Sequence, residues 1–261
     1  MADPDDLEPL RAEPRRSAIL CDVDGTLAPI VTDPEAAAVP EEARRVLRDL
    51  AQRYLLVACV SGRRASAARR LVGLDELTYA GNHGLEVLTP GEIEPRIDPS
   101  VGRRAAAAAG FAARLDWAAL GSIGLRLEDK GPIQAIHWRG APDVEAAEQR
   151  AREVAALAEE EGLIPHSGRM VLELRPTADV HKGIAIRRLI ADPGAARAMF
   201  GGDDRTDVDG FDALHELERT GELETAVCVG VDSAEAPAEL RAQADVVVSG
   251  TAGFLELLRS L

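Results

Sequence analysis

Ser17-Ala18-Ile19-Leu20-Cys21-Asp22-Val23-Asp24-Gly25-Thr26 is the stretch whose reading decides the fold. An uncharged, largely apolar run ends abruptly in two carboxylates placed two residues apart, with a glycine behind them. A run of this kind reads as a strand buried on both faces, as in a parallel sheet. In extended chain, residues i and i+2 face the same side, so Asp22 and Asp24 share a side while Gly25 lets the chain turn. One carboxylate of such a pair can bind a metal and attack an electrophile while the other handles protons. The plainer alternative is an acidic turn in which Asp24 caps the next segment.

Outward from this strand, the pattern alternates. PEEARRVLRDLAQR (40–53) reads as a helix with Pro at its first turn, and YLLVACVSG (54–62) as a second buried strand. RRASAARRLVG (63–73) is a second helix and LTYAGNHG (77–84) a third strand. The alternation resumes with helix 181–191, strand 198–204, helix 207–221, strands 224–230 and 244–250, and a terminal helix over 251–261. Such alternation predicts an α/β fold, a parallel sheet covered by helices on both faces. Residues 1–16 read as a loose N-terminal tail.

The middle third has another grammar. An Ala-rich helix (102–120), two strand-like runs around Lys130-Gly131-Pro132, a long amphipathic helix (143–162) and two more strands (163–176) follow in order. This α-β-β-α-β-β order favours an antiparallel sheet with helices on one face. The expected organisation is a core of residues 1–94 and 178–261, interrupted by an inserted α+β domain over 95–177.

Strand ends are where ligands bind in such sheets, and here they are chemically loaded. Ser61-Gly62-Arg63 offers a hydroxyl and free N–H groups at a helix start, an anion site. Lys182-Gly183 opens another helix, and Gly202-Asp203-Asp204 adds carboxylates suited to a hard cation such as Mg²⁺. An acid pair, a hydroxyl, a lysine and a second acid pair thus occur in this order.

Composition narrows the function further. Acids outnumber bases by 45 to 30, a net charge of −15 that argues against nucleic acid or an anionic membrane as partner. Aromatics are only 3% of the chain, so the core is built from Leu, Val, Ile and Ala. Among the 30 basic residues only Lys130 and Lys182 are lysine, marking places where a guanidinium does not serve. Cys21, Cys59 and Cys228 lie in strand-like runs and read as buried thiols, implying neither disulfide nor zinc site. Without a signal-like or membrane-spanning run, a cytoplasmic protein is expected, with a monomer as the simplest state.

With these motifs in hand, residues 18–261 resemble the haloacid dehalogenase superfamily of phosphotransferases. The resemblance implies a Rossmann-like core with a C2B-type cap and Mg²⁺ as cofactor. Asp22 would be the nucleophile and Asp24 the general acid and base. The metal would sit between Asp22, the backbone carbonyl of Asp24, and Asp203, with Asp204 and Asp207 behind. Ser61 and Lys182, with Gly62 and Arg63, would hold the phosphoryl oxygens.

GNHGLE (81–86), LEDKGPIQAIHWR (127–139), GRMVLELRP (168–176) and GDDRTD (202–207) further resemble trehalose-6-phosphate phosphatases. That resemblance implies a small-molecule sugar phosphate as substrate, with Glu128, Lys130 and Glu173 bonding sugar hydroxyls and Asn82 and His83 as further substrate contacts. Alternatives stay open at each position. Glu128 and Lys130 also fit a solvated hairpin tip, and Glu173 fits a pair with Arg175 or Arg139. Asn82 and His83 also fit a capped turn, Asp207 a helix cap, and Asp204 a partner for Lys182. The alternative substrate is another glycosyl phosphate, such as sucrose phosphate or mannosyl-phosphoglycerate; a phosphoglycerate would need a basic cluster for which Arg126, Arg139 and Arg169 are candidates. The sequence departs from the family at Val208, where a Glu is usual. Intact Asp22 and Asp24 speak against a catalytically silent sensor.

Overall fold

The computed structural model describes residues 6–31, 37–97, 101–168, 170–176, 180–233 and 236–261. They form α1 (Glu8–Ala12), β1 (Ser17–Cys21), α2 (Glu41–Arg53), β2 (Leu56–Val60), α3 (Ala65–Val72), β3 (Thr78–Gly81), β4 (Glu86–Leu88) and β5 (Arg96–Ile97). Next come α4 (Gly102–Arg114), α5 (Trp117–Ser122), β6 (Arg126–Asp129), β7 (Gln134–His137), α6 (Val144–Glu160), β8 (Ile164–Gly168) and β9 (Val171–Arg175). The chain closes with α7 (Lys182–Ala191), β10 (Arg197–Gly202), α8 (Arg205–Arg219), β11 (Thr225–Asp232), α9 (Ala238–Gln243), β12 (Val246–Ser249) and α10 (Gly250–Arg259).

Two compact units result, Met1–Arg96 with His181–Leu261, and Ile97–Val180. The first is built on a sheet ordered β12-β11-β10-β1-β2-β3-β4-β5. Its strands from β12 to β3 are parallel, and β4 turns back antiparallel on β3. β1 lies at the centre with every residue buried, as its uncharged sequence requires. One face packs Ile19, Cys21, Leu47, Leu50 and Tyr79 together, and the other packs Leu20, Ile186, Phe200 and Phe211. This is the α/β architecture the alternation predicts.

Within residues 6–16 the expected loose tail gives way to structure. Leu7 and Leu10, three positions apart, are buried in the core, and Glu13 pairs with both Arg16 and Arg197. An apolar pair at helical spacing is enough to dock one turn.

The second unit is a four-stranded antiparallel sheet ordered β6-β7-β9-β8. Ile136, Leu172 and Leu174 face a core completed by Ala108 and Phe111 of α4 and Ala147, Ala151 and Val154 of α6. The expected helix over 102–120 is two helices, because Asp116 caps α5 by accepting from the N–H groups of Ala118 and Ala119. The opposite register row, Glu128–Ala135–Glu173–His166, crosses all four strands.

Candidate active site

Asp22 follows directly on β1, and its N–H donates to the Gly201 carbonyl at 2.8 Å, so the sheet ladder itself fixes its position. Gly25 adopts φ +88°, and a Cβ there would lie 2.0 Å from Asp203 Oδ2. Glycine therefore allows both the turn and the approach of Asp203. Thr26 completes this corner by donating to Asp203 Oδ1 at 3.2 Å.

Lys182 stands at the start of α7 and is almost fully buried. Its ammonium donates to Asp22 Oδ1 at 2.7 Å and to Asp207 Oδ1 at 2.6 Å, with Asp204 at 3.9 Å. The other Asp207 oxygen accepts the N–H groups of Asp203 and Asp204, each at 3.0 Å. Asp204 caps α8, accepting from Thr206 and Asp207. Asp207 is thus at once the return half of a capping box and the partner of Lys182, and Asp204 is both the cap and a more distant lysine partner.

Charge is crowded here. Burial pushes Asp22 up to about 7, with Lys182 opposing the shift and Asp203 adding to it. Burial likewise raises Asp203 to about 7, helped by Asp207 and Asp204. Lys182 moves the other way: burial works against its charge, but Asp207 and Asp22 outweigh it and hold the ammonium well above its usual range.

Asp22, Asp203 and Asp207 each offer an oxygen within 4.8 Å of the others. All-carboxylate donors suit a hard divalent cation. Both Asp207 oxygens are already engaged, so Asp22 and Asp203 are the side chains left to hold one. Burial first, and neighbouring carboxylates second, disfavour charge on both, a cost that a bound divalent ion would offset. The donor set therefore fits the cation, although the Asp24 carboxylate is not in this cluster.

Asp24 instead receives two hydrogen bonds from Arg63, Nε to Oδ2 at 2.6 Å and a terminal nitrogen to Oδ1 at 2.7 Å. This bidentate pair joins the first strand end to the second. Ser61 Oγ accepts the Arg63 N–H at 3.1 Å. Gly62 lies under His83, whose ring would be 2.9 Å from a Cβ placed there. Asn82 and His83 are both left-handed, at φ +50° and +56°, in a tight turn after β3. The Asn82 N–H donates to the Arg63 carbonyl and that of His83 to Ser61 O, so this turn braces the Ser61–Arg63 loop. Glu86 adds a brace by accepting the Ala65 N–H at 2.6 Å, where α3 begins.

In the second unit, Lys130 and Glu173 are joined at 3.0 Å, and Arg175 grips the other Glu173 oxygen at 3.0 and 2.8 Å. Burial of Glu173 is outweighed by Lys130 and Arg175, which draw its carboxyl down to about 2. Glu128 bonds His137 at 2.7 Å, and that contact lowers its carboxyl. Of the two arginines proposed for Glu173, it is Arg175 that pairs with it. Arg126 donates to the Arg139 carbonyl, and Arg169 lies outside the described residues.

Thr26, Glu86, His137 and His166 are the neighbours that motif reading missed. Thr26 stood within the decisive stretch as a ready hydroxyl. The two histidines showed their place only once strand register set them beside Glu128 and Glu173. Val208 packs against the core of the first unit, a use that needs no carboxylate.

A family model described as trehalose-phosphatase matches residues 20–245. A trehalose-phosphate phosphatase of Mycobacterium marinum is 37% identical over 214 residues, covering 76% of this chain and 52% of that protein. The chain thus spans about half the length of that curated relative. Among solved structures, trehalose-6-phosphate phosphatase of Aspergillus fumigatus is 25% identical with a TM-score of 0.64, covering 98% of this chain and 96% of that one. A trehalose-6-phosphate phosphatase related protein shares the fold with a TM-score of 0.72 at 24% identity, over 93% of this chain and 95% of that one. Among the described residues, no helix is long and apolar enough to cross a membrane.

Proposed function

The chain belongs to the trehalose-phosphatase family, and from that premise we propose that it is a Mg²⁺-dependent phosphatase hydrolysing trehalose 6-phosphate to trehalose and phosphate, the last step of trehalose biosynthesis. The observation that carries this reading is the buried Lys182 ammonium bridging Asp22 and Asp207 beside Asp203.

Asp22 attacks phosphorus and forms an aspartyl-phosphate while the sugar oxygen departs. An alkoxide leaves poorly, so Asp24 gives it a proton, a contribution of roughly 10²–10⁴-fold. Asp24 then accepts a proton from the water that cleaves the aspartyl-phosphate. A carboxylate accepting two bonds from Arg63 has no proton to give. Arg63 must therefore release Asp24 before the leaving group is protonated, and the freed guanidinium can turn to phosphoryl oxygens. Lys182 offsets the repulsion between Asp22 and the incoming phosphate, with Ser61 and the Gly62 backbone completing the anion cradle. Mg²⁺ held by Asp22 and Asp203 would supply further positive charge against the phosphate.

The sugar falls to Glu128, Lys130 and Glu173. Glu173, drawn down to about 2, stays an acceptor for hydroxyl donors across the working range. Lys130 offers donors for hydroxyl acceptors. The alternative, a phosphatase for sucrose phosphate, mannosyl-phosphoglycerate or a similar ester, makes the same use of Asp22 and Asp24 and differs only in this recognition.

Phosphate release from a panel of these esters, with and without EDTA, tests the reading. Trehalose 6-phosphate should be the preferred substrate, and EDTA should stop turnover. Release from another ester but not from trehalose 6-phosphate would move the assignment to that ester.

A further inference from the structure

We propose that His215, Cys228 and Asp245 form a binding site for one transition-metal ion of the zinc class, separate from the carboxylate cluster at the strand ends. The three come from different segments of the first unit: α8, the middle of β11, and the turn entering β12. Each offers one ligand atom, and all three atoms lie within 4.8 Å of one another. His215 Nε2 is 3.3 Å from Asp245 Oδ2. Two backbone contacts fix Asp245 against Cys228: the Cys228 N–H donates to Asp245 Oδ2 at 2.7 Å, and the Asp245 N–H donates to the Cys228 carbonyl at 2.9 Å. The triad is therefore held before any ion arrives.

Donor chemistry sets the class of ion. The cluster at Asp22 is all oxygen, whereas one thiolate, one imidazole and one carboxylate suit a borderline-soft ion such as Zn²⁺ or Co²⁺. Three protein ligands leave a fourth position for water. Access comes from the solvent side, since Asp245 is exposed and His215 partly so, while Cys228 forms the closed floor. The thiol makes a long 3.8 Å contact to the Phe211 carbonyl and also bonds Asp245, so its sulfur already faces a fellow member of the triad. Burial, together with the nearby Asp245 carboxylate, keeps that sulfur protonated until an ion replaces the proton. On binding, the S–H bond breaks, an S–metal bond forms, and the proton passes to solvent with no change in oxidation state. The ion would tie α8, β11 and the entry to β12 together. β10 lies between β11 and β1, which keeps this triad apart from Asp22.

Co²⁺ titration of the whole chain in excess Mg²⁺ tests the site, read by the near-ultraviolet thiolate-to-cobalt charge-transfer band and by the thermal midpoint. The expected result is a band saturating at one equivalent and a raised midpoint. Cys228→Ser should lose the band, and His215→Gln should bind at least about tenfold more weakly. Both variants should keep the phosphate release of the unsubstituted chain measured without Co²⁺. No band at millimolar Co²⁺ would overturn the proposal. So would a band surviving both substitutions, which would belong to Cys21 or Cys59. Because His215 is partly exposed, its variant decides the matter even if Cys228→Ser does not fold.

Discussion

Lys182 shows how much a single side chain can be asked to do. It is 2% exposed, and its nitrogen sits between Asp22 and Asp207 at ordinary hydrogen-bond lengths. A planar guanidinium is wider than this slot and cannot place one charge against both carboxylates. Lys182→Arg should therefore lose nearly as much activity as Lys182→Ala, measured as kcat for phosphate release; full activity in the arginine variant would make its rarity in the chain an accident of composition. The neighbouring acids make a second prediction. Asp22 and Asp203 sit at about 7 against 3.8 when unperturbed. Between those values the folded chain holds protons that the unfolded chain has released, so stability falls as pH rises through this window. In chelator, the thermal midpoint should drop from about pH 4 to about pH 7 and then level off with respect to these two groups. Mg²⁺ should raise the midpoint more on the alkaline side of the window than on the acid side. A Mg²⁺ effect that does not change with pH would contradict the ion's placement between these carboxylates.

At the scale of elements, β1 and the alternation around it were legible because buried parallel strands leave an uncharged run that few other structures need. The helix over 102–120 was legible in type but not in its break, since Asp116 looks like a surface acid until its carboxylate is seen capping α5. The short strands β4 and β5 escaped because two or three residues carry too little period to register. The N-terminal segment escaped because Pro and acids masked one apolar pair. Leu10, wholly buried, gives that correction a measurable consequence. Leu10→Ala should cost about 2–5 kcal/mol in denaturant unfolding, whereas a loose tail would leave the midpoint unchanged.

On the scale of the whole molecule, the chain gathers its chemistry at the ends of strands that are distant in sequence but adjacent in the sheet. β2, β1 and β10 stand side by side, which sets Ser61, Asp22 and Asp203 in one row although they span well over half the chain. Residue types and their order could be read without a structure. The bond from Lys182 to Asp207, the Arg63 grip on Asp24 and the pairing of Glu128 with His137 could not, because each depends on side chains meeting across elements. All of it rests on one claim, that Asp22 is the nucleophile of a sugar-phosphate phosphatase. The most direct test compares steady-state phosphate release from trehalose 6-phosphate by the unsubstituted chain and by Asp22→Asn, both with saturating Mg²⁺. Asn keeps an acceptor for Lys182, so the thermal midpoint should survive while kcat falls by at least about 10⁴-fold. Comparable rates from the two folded proteins would contradict the account.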